Sequence, residues 1–262
     1  MTLRGAIVDL DGTVYRGDEL LDGTREGIEA MRSAGMNLFF LSNNPTKDGD
    51  QYVRRLRNMG LEVAEGAASS AGAVTTDYLV GNHRDDEIFL IGHEGLREQF
   101  HAADLSVTDD PAATEVVVAS WTPEFDFADM QDALDASDGA VAFYGTDPDR
   151  TFPLEKESLV PGSGAIIGSV ASAMGMEPDR ILGKPSETAL QAALDRLEVD
   201  PAACLIVGDR LDTDLLMGAN AGMTTVLVLT GVSDRSDIAD SDVDPDHVIE
   251  HLGEIETVLD QR

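Results

Sequence analysis

The segment Gly5-Ala6-Ile7-Val8-Asp9-Leu10-Asp11-Gly12-Thr13 is the starting point for predicting the fold of this chain. Its first four residues are typical of a short buried strand, and two carboxylates separated by one residue follow it. A second apolar run, residues 36–41, ends in a similar way at Ser42-Asn43-Asn44. Between the runs, residues 24–34 have helical periodicity and are followed by Gly35, a residue type that commonly ends a helix. The order strand, helix, strand predicts neighbouring parallel strands.

The same alternation of strands and helices is predicted on both sides of a long central segment. Helices are predicted at residues 46–59, 186–197 and 212–221, and strands at residues 204–207 and 224–229. We therefore predict an α/β fold, with a Rossmann-like doubly wound parallel sheet that has helices on both faces.

Residues 82–181 interrupt this pattern. They contain strand candidates at residues 87–91, 115–120 and 140–144 and a helix candidate at residues 127–136. This is enough material for an inserted α/β domain. We predict a core formed by 1–81 plus 182–262 and an inserted domain at 82–181.

The charge of the chain is strongly one-sided. Fifty acidic residues against 18 Lys and Arg give a net charge of -32, and the only lysines are Lys47, Lys156 and Lys184. So negative a surface argues against nucleic acid as a partner. The composition resembles that of proteins from salt-accumulating haloarchaea, and it predicts a halophilic protein that needs high salt to stay folded.

Two further features bear on location and on the core. No apolar run reaches the length of about 18 residues that a membrane helix needs, and the start lacks a signal-peptide pattern, so we expect a cytoplasmic protein with no membrane partner. The single cysteine, Cys204, lies in an apolar run and is predicted to be a core residue.

Polar residues at the strand ends are the candidates for chemistry. In an open parallel sheet, ligands bind at the carboxyl ends of strands, near the point where strand order reverses. Acidic residues in so acidic a chain are usually solvated surface, but several strand ends combine here. The candidates at or near these ends are Asp9, Asp11, Ser42, Asn43, Lys184, Asp209, Asp212 and Asp214.

Four segments together resemble the motifs of the haloacid dehalogenase superfamily. They are Asp9-Leu10-Asp11-Gly12-Thr13, Leu41-Ser42-Asn43-Asn44, Gly183-Lys184-Pro185 and Gly208-Asp209-Arg210-Leu211-Asp212-Thr213-Asp214. Their details are similar to the NagD-like, or class IIA, subgroup, in which a large cap domain lies between the second and third motifs. The 142 positions from Ser42 to Lys184 are too many for a single crossover and accommodate such a cap.

The resemblance implies a phosphatase with a magnesium ion. Asp9 would attack phosphorus as the nucleophile, and Asp11 would act as general acid and then general base. Ser42, Asn43 and Lys184 would bind the phosphoryl group, with Lys184 as the compensating charge. Mg²⁺ would be held by Asp9, the carbonyl oxygen of Asp11, Asp209 and Asp214, whereas Asp212 is assigned to the surface.

The implied substrate is a small phosphorylated metabolite, such as a sugar phosphate, glycerol phosphate, phosphoglycolate or a nucleotide. A phosphomutase or phosphotransferase of the same superfamily is the alternative, because these enzymes keep the carboxylate that corresponds to Asp11. An alternative of another class is a phospho-accepting signalling or binding module. The resemblance leaves the oligomeric state open, with a homo-oligomer through the cap as one option.

Three weaker signals lie outside these motifs. Pro161-Gly162-Ser163-Gly164 is interpreted as the return of the chain from the inserted domain to the core, and His247 and His251 as part of a surface helix. Trp121 and Arg150 follow cap strand candidates and are the residues to test first for substrate preference.

Overall fold

The structure is a computed structural model that describes residues 2–140, 142–153 and 159–260. In chain order its strands are β1 (Gly5–Val8), β2 (Tyr15–Arg16), β3 (Glu19–Leu20), β4 (Asn37–Ser42), β5 (Ala68–Ser70), β6 (Glu87–Ile91), β7 (Ser106–Thr108), β8 (Val116–Ala119), β9 (Ala142–Gly145), β10 (Thr151–Pro153), β11 (Leu159–Pro161), β12 (Arg180–Ile181), β13 (Cys204–Gly208), β14 (Thr224–Val228) and β15 (His247–Ile249). Its helices are α1 (Thr24–Ser33), α2 (Gly49–Asn58), α3 (Ala71–Asn82), α4 (Glu94–Ala102), α5 (Phe127–Ala136), α6 (Ser163–Met174), α7 (Glu187–Leu197), α8 (Leu216–Ala221) and α9 (Glu256–Leu259).

The described residues form two compact units. Those within Met1–Ser42, Gly49–Ser69 and Ala189–Arg262 form the first unit, and those within Asn43–Asp48 and Ser70–Thr188 form the second. The inserted domain predicted at 82–181 falls within the range of the second unit, which also includes residues 43–48, 70–81 and 182–188. The boundaries predicted from the sequence stay a prediction.

The first unit is built on a six-stranded sheet with the strand order β15-β14-β13-β1-β4-β5. The pairings from β15 through to β4 are parallel. Strand order runs outward from β1 in one direction and from β13 in the other, so the topological switch point lies between these two strands. The predicted α/β fold with a Rossmann-like parallel sheet is confirmed.

Burial explains why β1 occupies the middle of this sheet. All four of its residues are buried, and its neighbours on both sides are parallel strands, with Ile7 opposite Ile206 and Phe39. A strand covered on both faces must be a continuous apolar run, and burying each large aliphatic side chain contributes about 1.5–3 kcal/mol. Cys204, the first residue of β13, is fully buried, which confirms its prediction as a core residue.

The second unit contains a five-stranded sheet with the strand order β12-β9-β8-β6-β7, and the pairings between neighbours are parallel. Its core packs residues of β6, β8 and β9 against α5 and α6. The strand predicted at residues 87–91 and the helix predicted at residues 127–136 have those bounds in the structure.

Two interpretations of the weaker signals are wrong. The chain does not return to the core at Pro161-Gly162-Ser163-Gly164, because α6 begins at Ser163 and packs Ile166 and Val170 into the core of the second unit. The surface helix proposed for His247 and His251 is also absent. His247 begins β15, which pairs with β14, and the His251 side chain accepts the N–H of Gly253 at the start of a 3-10 turn.

Among the described residues, no helix combines the length and the apolar character needed to cross a membrane.

Candidate active site

The topological switch point brings two carboxylates together. Asp9 directly follows β1 and Asp209 directly follows β13, the neighbouring parallel strand. The backbone N–H of Asp9 donates to the carbonyl oxygen of Val207 at 2.9 Å, so the ladder between the strands continues as far as Asp9. Since the carboxyl ends of parallel strands meet at one edge of the sheet, both side chains lie at the same edge.

A third carboxylate completes this group. Asp214 lies in the single π-helical turn Leu211–Leu215 that follows β13. One oxygen of each of Asp9, Asp209 and Asp214 lies within 4.8 Å of the others, and the three residues are only 6%, 2% and 1% exposed. Three buried carboxylates at this separation repel one another unless a proton or a cation lies between them.

The pKa of Asp209 reflects this repulsion. Burial, followed by the charges of Asp9 and Asp214, raises the pKa of Asp209 well above its usual range. The ligands available at this point are carboxylate oxygens, the donor type that hard divalent cations prefer. The three residues therefore fit a site for a divalent cation with oxygen ligands.

Gly12 allows the first motif to approach Asp209. Its φ of +89° is in the left-handed region, and a Cβ at this position would lie 2.5 Å from Oδ2 of Asp209. A side chain here would be strained by the backbone conformation and would collide with the carboxylate. The turn that carries Asp9 and Asp11 past the end of β1 thus requires glycine.

The side chain of Asp11 has different surroundings from the three buried carboxylates. Asp11 is exposed, and its Oδ2 accepts hydrogen bonds from the hydroxyl of Tyr15 at 3.1 Å and from Oγ of Ser42 at 3.4 Å. Ser42 is buried at the end of β4, the strand on the other side of β1. The structure thus brings five predicted residues into one unit: Asp9, Asp11, Ser42, Asp209 and Asp214.

Several neighbours of these residues were not assigned a role from the sequence. Oγ1 of Thr13 donates to Oδ2 of Asp9 at 3.2 Å, and the backbone N–H of Val232 donates to Oδ2 of Asp209 at 2.7 Å. Tyr15 and Tyr52 are buried, and burial together with the charge of Asp11 raises the pKa of both phenols. Thr13 is the last residue of the first motif and Tyr15 lies two positions after it, so both were within reach of sequence reasoning, whereas nothing in the sequence marks Tyr52 or Val232.

Asn43 and Lys184 belong to the second unit, where they form a closely bonded pair. The backbone N–H of Lys184 donates to Oδ1 of Asn43 at 2.8 Å, and Nδ2 of Asn43 donates to the carbonyl oxygen of Lys184 at 3.1 Å. Nδ2 also donates to Oδ1 of Asp149 at 3.3 Å. Lys184 is only 2% exposed. The parts of Asn43 and Lys184 in phosphate binding stay predictions.

Other predicted residues have simpler surroundings. The side chain of Asp212 is 72% exposed and pairs with Arg210 at 3.2 Å, which confirms its assignment to the surface. Trp121 is partly buried, stacks on His93 and meets the ring of Phe152 edge-on, whereas Arg150 is exposed. The influence of Trp121 and Arg150 on substrate preference stays a prediction.

Family models match both ends of the chain. A model described as haloacid dehalogenase-like hydrolase matches residues 6–106, and one described as HAD-hydrolase-like matches residues 181–255. An acid sugar phosphatase from Staphylococcus epidermidis is 30% identical over 246 residues, which cover 94% of this chain and 94% of that protein.

Solved structures of similar fold cover nearly the whole chain. A p-nitrophenyl phosphatase from Archaeoglobus fulgidus is 34% identical, with a TM-score of 0.90 over 99% of this chain and 100% of that one. NagD from E. coli K-12 is 26% identical, with a TM-score of 0.83 over 97% and 99% of the two chains. A glycerol phosphate phosphatase from Mycobacterium tuberculosis, solved in complex with magnesium, is 26% identical, with a TM-score of 0.83 over 95% of this chain and 76% of that one.

Proposed function

The chain belongs to the haloacid dehalogenase-like hydrolase family as a NagD-like phosphoric monoester hydrolase, and from this premise we propose a magnesium-dependent reaction with a phospho-aspartyl intermediate on Asp9. The observation that carries the proposal is the convergence of Asp9, Asp209 and Asp214 at the switch point of the sheet. Three buried carboxylates this close together fit a divalent cation. One of them, Asp9, directly follows the central strand β1, at the edge of the sheet where ligands bind.

Asp9, Asp209 and Asp214, with the carbonyl oxygen of Asp11, would hold Mg²⁺. When bound, the ion offsets the charges of the phosphate ester and of the attacking carboxylate. The proposal is supported by the donor set, which consists of oxygens, and by the raised pKa of Asp209, which burial and the charges of Asp9 and Asp214 produce. The structural relative from Mycobacterium tuberculosis, described as in complex with magnesium, agrees with this choice of ion.

The reaction then follows from the chain's own carboxylates. An oxygen of Asp9 attacks phosphorus, the bond from phosphorus to the ester oxygen breaks, and Asp11 gives its proton to the departing oxygen. In the second step Asp11 takes a proton from water, whose oxygen attacks phosphorus and releases Asp9 with inorganic phosphate. The hydroxyl of Thr13 donates to Oδ2 of Asp9 and so orients the attacking carboxylate.

Ser42, Asn43 and Lys184 are proposed to bind the phosphoryl oxygens, with Lys184 as the second positive charge. This assignment rests on the motif match. Within the second unit, the side chain of Asn43 bonds to the backbone of Lys184 at both its N–H and its carbonyl oxygen, so these two residues are held together.

We propose small phosphorylated metabolites as substrates, sugar phosphates first. The relatives are named for acid sugar phosphatase, p-nitrophenyl phosphatase and glycerol phosphate phosphatase activity, which have in common a phosphomonoester with a small leaving group. We propose the cytoplasm as the location of the protein. Whether it forms a homo-oligomer through the inserted domain stays open. The net charge of -32 argues against nucleic acid as a partner.

The test is hydrolysis of 4-nitrophenyl phosphate in high KCl, with Mg²⁺ and with EDTA. We expect turnover by the wild type with Mg²⁺ alone, loss of turnover in Asp9→Asn, and a covalent phosphate on the wild-type protein after rapid acid quench. Asp212→Asn is the matched control, because Asp212 lies in the same turn as Asp214 but is exposed. Equal turnover by Asp9→Asn and the wild type would refute the nucleophile, and full activity in EDTA would refute the metal dependence.

A further inference from the structure

We propose that Tyr15 is a positioning residue that holds the carboxyl group of Asp11 during proton transfer. The inference rests on the proposed function, because the orientation of Asp11 matters to the rate only if Asp11 is the acid and base. Tyr15 is not among the residues to which the four motifs assign a role.

The geometry places a buried donor against an exposed carboxyl group. The hydroxyl of Tyr15 donates to Oδ2 of Asp11 at 3.1 Å, and Asp11 is exposed whereas Tyr15 is only 1% exposed. The backbones of the same two residues form a bridge, and the carbonyl oxygen of Tyr15 accepts the N–H of Gly12 at 2.9 Å. The exposed side chain is thus tied to a buried one at the end of the same turn.

Ser42 donates to the same oxygen of Asp11, at 3.4 Å, but it cannot do so throughout the reaction. A serine hydroxyl has one hydrogen to donate. When Ser42 donates that hydrogen to a phosphoryl oxygen, as the motif match predicts, its bond to Asp11 is lost. Of these two hydroxyl donors, Tyr15 is the one that keeps Oδ2 of Asp11 in place while substrate is bound.

The bond also selects the oxygen that carries the transferable proton. With Oδ2 accepting the hydrogen of Tyr15, a proton on Asp11 resides on Oδ1. As the bond from phosphorus to the ester oxygen breaks, its electron pair stays on that oxygen, which takes the proton from Oδ1 and leaves Asp11 ionised. In the hydrolytic step the same oxygen takes a proton from water. Tyr15 exchanges no proton in either step.

Arg55 holds the ring of Tyr15. Its guanidinium lies over that ring, 4.7 Å from the centroid, and it also donates to the carbonyl oxygen of Gly17 at 2.6 Å and pairs with Asp18 at 3.2 Å. Gly17 and Asp18 form the turn between β2 and β3, so α2, which carries Arg55, is tied to the hairpin on which Tyr15 lies. Cation–π stacking of this kind favours one position of the ring.

The test compares two esters whose leaving groups differ in their need for a proton. An alkyl ester such as glycerol phosphate expels a strongly basic alkoxide, whereas 4-nitrophenyl phosphate expels a weakly basic phenolate that departs without protonation. The ratio kcat/KM reports on the steps up to departure of the leaving group. For Tyr15→Phe in the presence of Mg²⁺ and high KCl, we expect kcat/KM for the alkyl ester to fall about 10-fold or more, and that for 4-nitrophenyl phosphate to fall less than about 3-fold.

Tyr78→Phe is the matched control, because it removes the same hydroxyl from a tyrosine of the second unit and should change neither ratio. An equal fall for both esters, or no fall for either, in a folded Tyr15→Phe protein overturns the inference. Should that variant not fold, Arg55→Lys keeps the phenol but loosens its ring, and it must then give the same preference for the aryl ester to a smaller degree. An equal effect of Arg55→Lys on both esters overturns the inference as well.

Asp9→Asn, measured beside these variants, separates the inference from the function on which it rests. If Asp9→Asn hydrolyses both esters as the wild type does, the proposed function fails. If Asp9→Asn is inactive while Tyr15→Phe treats both esters alike, the positioning role of Tyr15 fails and the proposed function stands.

Discussion

Gly231 lies so close to Asp209 that a Cβ on Gly231 would be 1.8 Å from Oδ2 of Asp209. The next residue, Val232, donates its backbone N–H to the same oxygen at 2.7 Å. The loop that follows β14 therefore closes over a buried carboxylate and orients it with a backbone donor. Glycine can come this close to the carboxylate because it has no Cβ.

Gly231→Ala should therefore damage the metal site. The added methyl group must displace either the loop or the carboxylate, at a cost of about 1–3 kcal/mol, and either movement weakens the bond from Val232 to Asp209. We expect weaker Mg²⁺ activation together with a lower unfolding temperature, measured by a Mg²⁺ titration of activity and by thermal unfolding.

Gly168→Ala is the control for that variant. A Cβ on Gly168, inside α6, would meet no atom within 4 Å, and alanine is the better helix former by about 1 kcal/mol. This variant should be as stable as the wild type or more stable. Equal stability and equal Mg²⁺ activation of the two alanine variants would show that the metal site does not depend on the close approach of Gly231 to Asp209.

Mg²⁺ should stabilise the folded wild type through its carboxylate site. A ligand present at about 100 times its dissociation constant adds about 2.7 kcal/mol to the free energy of unfolding, which in a chain of this length raises Tm by roughly 5–10 °C. In Asp209→Asn and Asp214→Asn the increase should be absent, and in the exposed Asp212→Asn it should be kept. Calorimetry in high KCl with Mg²⁺ or EDTA decides this, and an unchanged increase in Asp209→Asn would locate the ion elsewhere.

Asp147 should make the stability of the protein depend on pH. Burial, followed by the charge of Asp149, raises the pKa of Asp147 from 3.8 to about 8. Since the folded state holds this proton more tightly than the unfolded state, the contribution of Asp147 to the free energy of unfolding falls as pH rises from about 4 to about 8.

Asp147→Asn should remove this dependence. The amide is neutral at every pH and can still accept the hydrogen bond that Oγ1 of Thr146 donates to Oδ2 of Asp147 at 3.0 Å. The variant should therefore gain stability over the wild type as pH rises toward 8 and keep a constant advantage above it, as measured by denaturant unfolding at several pH values. Asp138→Asn, a change at an exposed carboxylate, is the control, and parallel pH curves for Asp147→Asn and the wild type would contradict the assignment.

The net charge of -32 should make folding depend on salt. Repulsion among exposed carboxylates opposes the compact state in dilute buffer, and at about 1 M salt the Debye length shortens to about 3 Å. We expect circular dichroism to show loss of helix below a threshold KCl concentration and its recovery on adding the salt back. A fully folded protein near zero salt would exclude a halophilic character.

The local sequence pattern predicted the elements correctly where a helix buries one face or a strand is buried along its whole length. The helix at 127–136 has a capping box at Asp126 and Asp129 and apolar residues toward the core, and the strand at 87–91 is a compact apolar run. By contrast α3, which begins Ala71-Gly72-Ala73-Val74-Thr75-Thr76, has no polar face to reveal a helical period, because it is buried on most sides. A local sign of a helix there is Ser70, whose side chain accepts the N–H of Ala73 as the N-cap of α3.

The alternation of strands and helices and the apolar run of the central strand could be predicted from short segments of the sequence, because periodicity is a property of such segments. The same holds for the strand-end residues Asp9, Asp11, Ser42, Asp209 and Asp214. Which side chains meet follows from the three-dimensional fold. It brought oxygens of Asp9 and Asp209, two hundred positions apart, to within 4.8 Å of each other, closed Gly231 over Asp209, and joined the hydroxyl of Tyr15 to Asp11. Such contacts depend on the order in which strands pair and on the path of loops between them, and neither is encoded in any single segment.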